Sequence, residues 1–186
     1  MAGKARMIFG LARDPSVGAA LVDLLVTYME MRANDFAPAL GEPPPGATVA
    51  RETLDLADYV SLYRAVGEPV QWDQRLRMAA DDLERLLALP STHVHVLRVD
   101  GEAAGLCEFN GVGQPDVELV HFGLVPAFHG RRLGPFLLDQ ALRAVWSHAP
   151  QRVWLHTDTY DHPAAQSVYS RAGFKPNAQR VETFPD

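Results

Sequence analysis

Between Phe128 and Arg152 the chain gathers four arginines, Arg131, Arg132, Arg143 and Arg152, against one acid, Asp139, although its formal net charge is −6. Arginine concentrated in one segment of an acidic protein suits a small polyanion, because the guanidinium fork matches phosphate oxygens. For Arg143 and Arg152 a solvated helix face is the competing reading. The run His129-Gly130-Arg131-Arg132-Leu133-Gly134 follows a strand that ends before Pro126 and precedes a helix with Leu137, Leu138, Ala141, Leu142 and Val145 at helical spacing. The first N–H groups of a helix lack intrahelical acceptors, and the helix dipole places partial positive charge beside them. Gly130 and Gly134 have no side chain, so a phosphate oxygen can approach the backbone closely. The chemistry indicated is retention of a diphosphate. No Gly-Lys-Ser/Thr follows and no Gly-x-Gly-x-x-Gly is present, which excludes a Walker loop and the dinucleotide fingerprint.

Two titratable residues stand out on the strand that feeds this turn. Glu118 lies in an otherwise apolar strand, where burying a carboxylate is costly without a role and raises its pKa toward values useful to a base. A salt bridge to a helix arginine would explain it equally well. His121 is the competitor, with an ordinary pKa near neutrality. Strict alternation puts Glu118, Val120 and Phe122 on one face and Val117, Leu119 and His121 on the other. Cys107, the single cysteine, excludes an internal disulfide and a thiolate metal site and reads as a small buried filler. The seven histidines are scattered, His93 and His95 read as exposed strand surface, and no metal is expected.

These residues need elements to hold them. Residues 1–46 read as an N-terminal extension, in which Ser16 caps a helix running to about Arg32 with Val17, Leu21, Leu24, Leu25 and Tyr28 as its apolar stripe. Glu42-Pro43-Pro44-Pro45-Gly46 is a linker. That helix would suit packing on the main domain or on a second subunit in a homodimer. Residues 47–186 form the main domain. A weak strand Thr48–Thr53 precedes a helix capped by Asp55, and a second helix covers Ala80–Leu89. Strands His93–Val99 and Ala103–Phe109 meet across Asp100-Gly101, a hairpin signal. Strand Val117–Leu124, helix Gly134–His148, strand Arg152–Thr157, helix Pro163–Ala172 and a short strand from Phe174 complete the order.

Leu124-Val125-Pro126, with His129, Gly130 and Gly134, resembles the cofactor loop of the GNAT superfamily of N-acetyltransferases, whose pattern is Gln/Arg-x-x-Gly-x-Gly/Ala after a strand ending in Val-x-Pro. His129 stands at the Gln/Arg position and Arg132 replaces the central glycine. His162-Pro-Ala-Ala165-Gln-Ser-Val-Tyr169-Ser-Arg-Ala-Gly173-Phe174 resembles the same family's Asn-x-x-Ala-x-x-Leu-Tyr-x-x-x-Gly-Phe, with His162 for the asparagine. The two motifs occur in the expected order and spacing, and the resemblance runs from about Thr48 to the C-terminus.

This resemblance implies an α/β (α+β) acyl-CoA N-acyltransferase fold, a central mixed, mostly antiparallel sheet flanked by helices. It implies direct transfer of an acetyl group from acetyl-CoA to an amine in a ternary complex. Cofactor contacts would come from Phe122, Gly123, Leu124, His129, Gly130, Arg131, Arg132, Leu133, Gly134, His162 and Ala165, with Gly123 at a bulge. Tyr169 is the candidate acid for the CoA sulfur; a phenol of pKa about 10 against about 8.5 for a thiol orients sulfur more readily than it protonates it. Glu118 becomes the leading base. The acceptor would meet the link between the first two helices, where Glu68, Trp72 and Asp73 could form a polar, aromatic pocket.

An acidic net charge argues against a nucleic-acid binder. No apolar run is long enough to span a bilayer and no signal peptide is apparent, so a cytoplasmic protein acting on a small-molecule or peptide amine is expected. A CoA-binding regulatory module without turnover is the second hypothesis, and an interaction protein using the N-terminal helix the third.

Overall fold

The computed structural model describes residues 21–36 and 43–185. They form strands β1 (Leu21–Met31), β2 (Ala47–Arg51), β3 (His93–Val99), β4 (Glu102–Asn110), β5 (Asp116–Leu124), β6 (Arg152–Thr157) and β7 (Lys175–Pro185). The helices are α1 (Leu56–Gly67), α2 (Ala80–Leu87), α3 (Leu133–Trp146) and α4 (Ala165–Ala172). All seven strands join one sheet in the order β2-β3-β4-β5-β6-β1-β7. Every neighbouring pair is antiparallel except β5–β6, which is parallel. The mixed, mostly antiparallel sheet flanked by helices therefore stands as expected.

Local chemistry accounts for most boundaries. The Asp55 side chain accepts from the Asp58 N–H at 2.8 Å and caps α1. Asp100 (φ 51°) and Gly101 (φ 88°) are both left-handed, as a tight two-residue hairpin between β3 and β4 requires. Gly173 (φ 114°) ends α4.

Two cores cover the two faces of the sheet. Tyr59, Leu62, Tyr63 and Val66 of α1, with Leu83 of α2, pack on Val94, Val96 and Leu106. On the opposite face Leu137, Leu138, Ala141, Leu142 and Val145 of α3, with Tyr169 and Ala172 of α4, pack on Leu97, Phe109, Val117, Leu119 and Val153.

The N-terminal region corrects the sequence reading. Leu21–Met31 is a strand, not part of a helix, inserted between β6 and β7 and bonded to both. Burial on it alternates as in a half-buried strand, Leu24 and Val26 and then Met29 and Met31, with a register shift between Tyr28 and Met29, whereas Leu21, Leu24, Leu25 and Tyr28 happen to match helical spacing. Ser16 and Glu42 lie outside the described residues. His93 and His95 are also corrected: both are buried, facing the α3 side of the sheet beside His148 and Phe109. Cys107 is buried, as expected of a filler.

Candidate active site

The parallel pairing of β5 with β6 covers Asp116↔Arg152, Val117↔Val153 and Glu118↔Trp154 and then stops. Both strands continue, β5 to Leu124 and β6 to Thr157, so an opening forms between their C-terminal halves. A cavity of about 220 Å³ sits here, lined in part by Leu119–Phe122, His156, Tyr169, Tyr63, Trp72 and Asp73. Val22 and Leu24 of β1 and Phe184 of β7 also reach it. Three carboxylates, Asp73, Asp158 and Asp161, also line it, Asp73 being paired to Arg77.

The turn before α3 carries the residues expected to form an anion cradle. Gly130 (φ 74°) and Arg132 (φ 58°) are left-handed, and Arg132 is the residue that precedes the first turn of α3. Arg132 thus adopts the backbone of the glycine it replaces, at a cost of about 1–2 kcal/mol. The N–H groups of Arg132, Leu133 and Gly134 have no acceptor within the helix, while Pro135 has no N–H to offer. No acid occupies that first turn. Arg131 lies over the Phe128 ring at 5.4 Å. His129 Nε2 is 3.0 Å from the Leu124 carbonyl oxygen, and its ring meets that of His162 edge-on at 5.4 Å. His162 Nδ1 accepts from the Ala164 N–H at 3.1 Å just ahead of α4. The end of β5, the turn and the start of α4 are thereby tied together. Arg143 and Arg152 are engaged elsewhere, Arg143 with Asp139 and Arg152 with Glu30 and Asp116.

A bulge in β5 resets the faces that sequence alternation assigned. Glu108 pairs with His121 but Phe109 pairs with Leu119, leaving Val120 as the extra residue. Val117 and Leu119 face α3, whereas His121 turns to the α1 face, which also carries Glu118. The bulge is at Val120, not Gly123. Gly123 serves close packing instead, since a Cβ there would lie 2.6 Å from Val66 Cγ1 and 3.3 Å from Trp72 Cη2.

Glu118 does not line the cavity; its Oε1 lies 3.8 Å from Nδ1 of His156, which does. Burial pushes the Glu118 carboxyl up. Tyr169 lines the cavity, packed between Phe122 (5.7 Å) and Phe174 (6.0 Å), and burial raises its hydroxyl well above the usual phenol range. Trp72 stacks at 5.7 Å on Tyr63 and 5.0 Å from His121. Glu68 is exposed and stands apart from the cavity; Ala165 packs on the α3-side core.

Glu108 was not singled out in the sequence. It is fully buried on β4 and accepts from Arg75 Nε (3.1 Å) and Nη2 (2.5 Å) and from the Tyr59 hydroxyl (2.6 Å). His121 Nδ1 is 3.1 Å from its other oxygen. Burial would raise this carboxyl, but the hydrogen bonds and charges of His121 and Arg75 hold it down to about 2. Burial also lowers His121, against the pull of Glu108, so the imidazole is neutral at pH 7. The available signal was an acid inside the apolar run Leu106-Cys107-Glu108-Phe109, the same argument that drew attention to Glu118.

Among the described residues, no group of three or more His, Cys, Asp and Glu side chains could hold a metal, and no helix is long and apolar enough to cross a membrane.

A family model described as the acetyltransferase (GNAT) family matches residues 56–174, more than half of the 186-residue chain. No curated protein matches the chain. Among solved structures, a tandem GNAT protein from the clavulanic acid biosynthesis pathway superposes with a TM-score of 0.66 at 18% identity, over 95% of this chain and 60% of that one. A GCN5-related N-acetyltransferase from Sphaerobacter thermophilus gives 0.60 at 20% identity, over 87% of this chain and 51% of that one. An aminoglycoside acetyltransferase from an uncultured soil metagenomic sample gives 0.57 at 14% identity, over 68% and 87%. At these identities the likeness is one of fold, and the chain spans only about half to three-fifths of the first two structures.

Proposed function

Because the chain belongs to the GNAT acetyltransferase family, we propose that it transfers an acetyl group from acetyl-CoA to a primary amine by direct attack in a ternary complex. The observation that carries this reading is the cavity at the β5–β6 opening, which Tyr169, His121 and three aspartates line together. The turn 129–134 fits a diphosphate: it offers helix N-terminal N–H groups, a left-handed glycine and two arginines, with no acid in the first helical turn. The thioester would supply an activated acyl carbon and a thiolate leaving group.

Three tasks fall to the protein. Phe122–Leu124 would align the pantetheine arm along the unpaired part of β5, so that attack becomes effectively intramolecular. Tyr169, whose raised pKa keeps its proton in place, would donate a hydrogen bond to the departing sulfur rather than ionise. Of the two candidate bases, we favour His121, because it lines the cavity as a neutral imidazole while Glu118 stands behind His156. Asp158 and Asp161 suit a cationic acceptor.

The test is thiol release from acetyl-CoA by the purified protein across a panel of diamines, aminoglycosides and peptides with free α- or ε-amines. Turnover favouring polycationic amines is expected. Binding of CoA, seen as a raised melting temperature, without turnover on any amine would overturn the enzymatic reading.

A further inference from the structure

We propose that Tyr63, His121 and Glu108 form a relay that draws the acceptor's proton out of the cavity, with Arg75 anchoring Glu108 as its anionic end. The inference rests on the acetyl-transfer reading above and deepens it.

The direction of each hydrogen follows from what each atom can do. An ionised carboxylate only accepts, so all four groups around Glu108 must donate: Arg75 Nε and Nη2 to one oxygen, the Tyr59 hydroxyl and His121 Nδ1 to the other. Nδ1 therefore carries the imidazole hydrogen, and Nε2 presents a lone pair. Nε2 lies 3.3 Å from the Tyr63 hydroxyl. That hydroxyl already accepts from the Arg75 backbone N–H at 3.4 Å, which leaves its own hydrogen aimed at Nε2. Tyr63 and His121 line the cavity, whereas Glu108 and Arg75 lie behind them. Each donor in the chain thus points from the cavity toward Glu108.

As the amine nitrogen bonds to the acetyl carbon and the carbon–sulfur bond breaks, the nitrogen's proton passes to the Tyr63 oxygen while the Tyr63 proton moves to His121 Nε2. The thiolate leaves beside Tyr169, and the imidazolium faces Glu108 until it returns its proton by the same route to sulfur or solvent. Burial keeps Tyr63 un-ionised, pushed up to about 12, so it exchanges one proton for another rather than dwelling as a phenolate. His121 is faced by Glu108 from β4, by Tyr63 from α1, by Trp72 and Arg75 from the segment after α1, and by His156 from β6. Glu108 is the carboxylate hydrogen-bonded to it, and Arg75 holds that carboxylate in place, so both are positioning residues.

The competing view is a buried ion pair that merely clamps the segment around Arg75 to the sheet. Histidine 15N spectra of the full chain, with His121 assigned through His121→Asn, test the relay's hydrogen directions without any substrate, and the kinetics of the variants below separate it from the clamp. A neutral imidazole with hydrogen on Nδ1 at pH 7.5 is expected; hydrogen on Nε2 would overturn the relay. Tyr63→Phe, which removes one oxygen, should lower kcat on an amine accepted in the panel by about tenfold or more, with the KM for acetyl-CoA unchanged. Glu108→Gln should move the acidic limb of the kcat profile to lower pH, because the imidazolium loses its counter-charge, and Glu108→Asp should restore part of it. Wild-type kcat and pH limb in Tyr63→Phe would overturn the relay alone. A wild type that turns over no amine would overturn the acetyl-transfer reading and the relay with it.

Discussion

In the proposed reaction Tyr169 and His121 make opposite demands on protons, and their surroundings set each accordingly. Tyr169, enclosed by Phe122 and Phe174, holds its hydrogen. Tyr169→Phe should cost about ten- to a hundredfold in kcat, the worth of one hydrogen bond to a developing thiolate, while a thermal melt stays near wild type. His121 is depressed below its ordinary 6.5, chiefly by burial. The proposed mechanism needs the neutral ring, so the limb that His121 adds to the kcat profile, measured at saturating amine, should lie at a pH under 6.5. His95 poses a separate question, of stability. Its folded-state pKa is lowered by burial to about 4, and its Nε2 has no hydrogen-bond partner. Between the unfolded value and 4 the unfolded chain binds the extra proton, so this contribution to stability is present above pH 6.5 and is lost as pH falls toward 4. His95→Leu should remove that loss and, by deleting an unsatisfied buried nitrogen, add about 1 kcal/mol at pH 7, read from urea melts at pH 7 and 5.

Two glycines separate packing from conformation at the element scale. Gly123 lets β5 approach α1 and Trp72, and a methyl there would sit 2.6 Å from Val66. Gly123→Ala should destabilise by about 1–3 kcal/mol through overpacking and displace Trp72 from the cavity wall, visible as altered tryptophan fluorescence. At Gly134 in the first turn of α3 the nearest atoms would be ring and methyl carbons of Phe122 and Leu124 at 3.7 and 3.8 Å, ordinary contacts. Gly134→Ala should therefore leave the fold intact and raise the melting point slightly, since alanine is favoured in helices by about 1 kcal/mol. The loop's tolerance of Arg132 follows from the same distinction: the position demands a left-handed backbone, and the surrounding turn imposes it on a non-glycine residue.

The strand that begins the described chain completes the whole molecule. β1 hydrogen-bonds to both β6 and β7, and Leu24, Val26, Met29 and Met31 on it are buried. At about 1.5–3 kcal/mol for each of these side chains, β1 contributes about 6–12 kcal/mol, comparable with the whole net stability of an ordinary domain. Removing residues 1–31 should abolish cooperative thermal unfolding, measured by circular dichroism, and with it CoA-induced stabilisation. A truncated chain that melts cooperatively near the wild-type temperature would show that β7 can pair directly with β6.

The sequence by itself determined the turn at 129–134, the helix that follows it, the Tyr169–Phe174 segment and the Asp100-Gly101 hairpin. Each rests on interactions within a few residues: capping, positive φ, a helical apolar stripe. Tertiary structure decided what depends on partners far along the chain. The Val120 bulge moved His121 to the face that carries Glu118, and no local pattern marks a bulge whose cause is the register against β4. Glu108 gained its meaning from Arg75, 33 residues away, and from Tyr59, 49 residues away. β1 lies between two strands that begin more than 120 residues later, so both its neighbours and its burial were set by closure of the sheet. Local steric preference is written in adjacent residues, whereas the pairing of a central strand and the satisfaction of a buried charge exist only once the chain has folded back on itself.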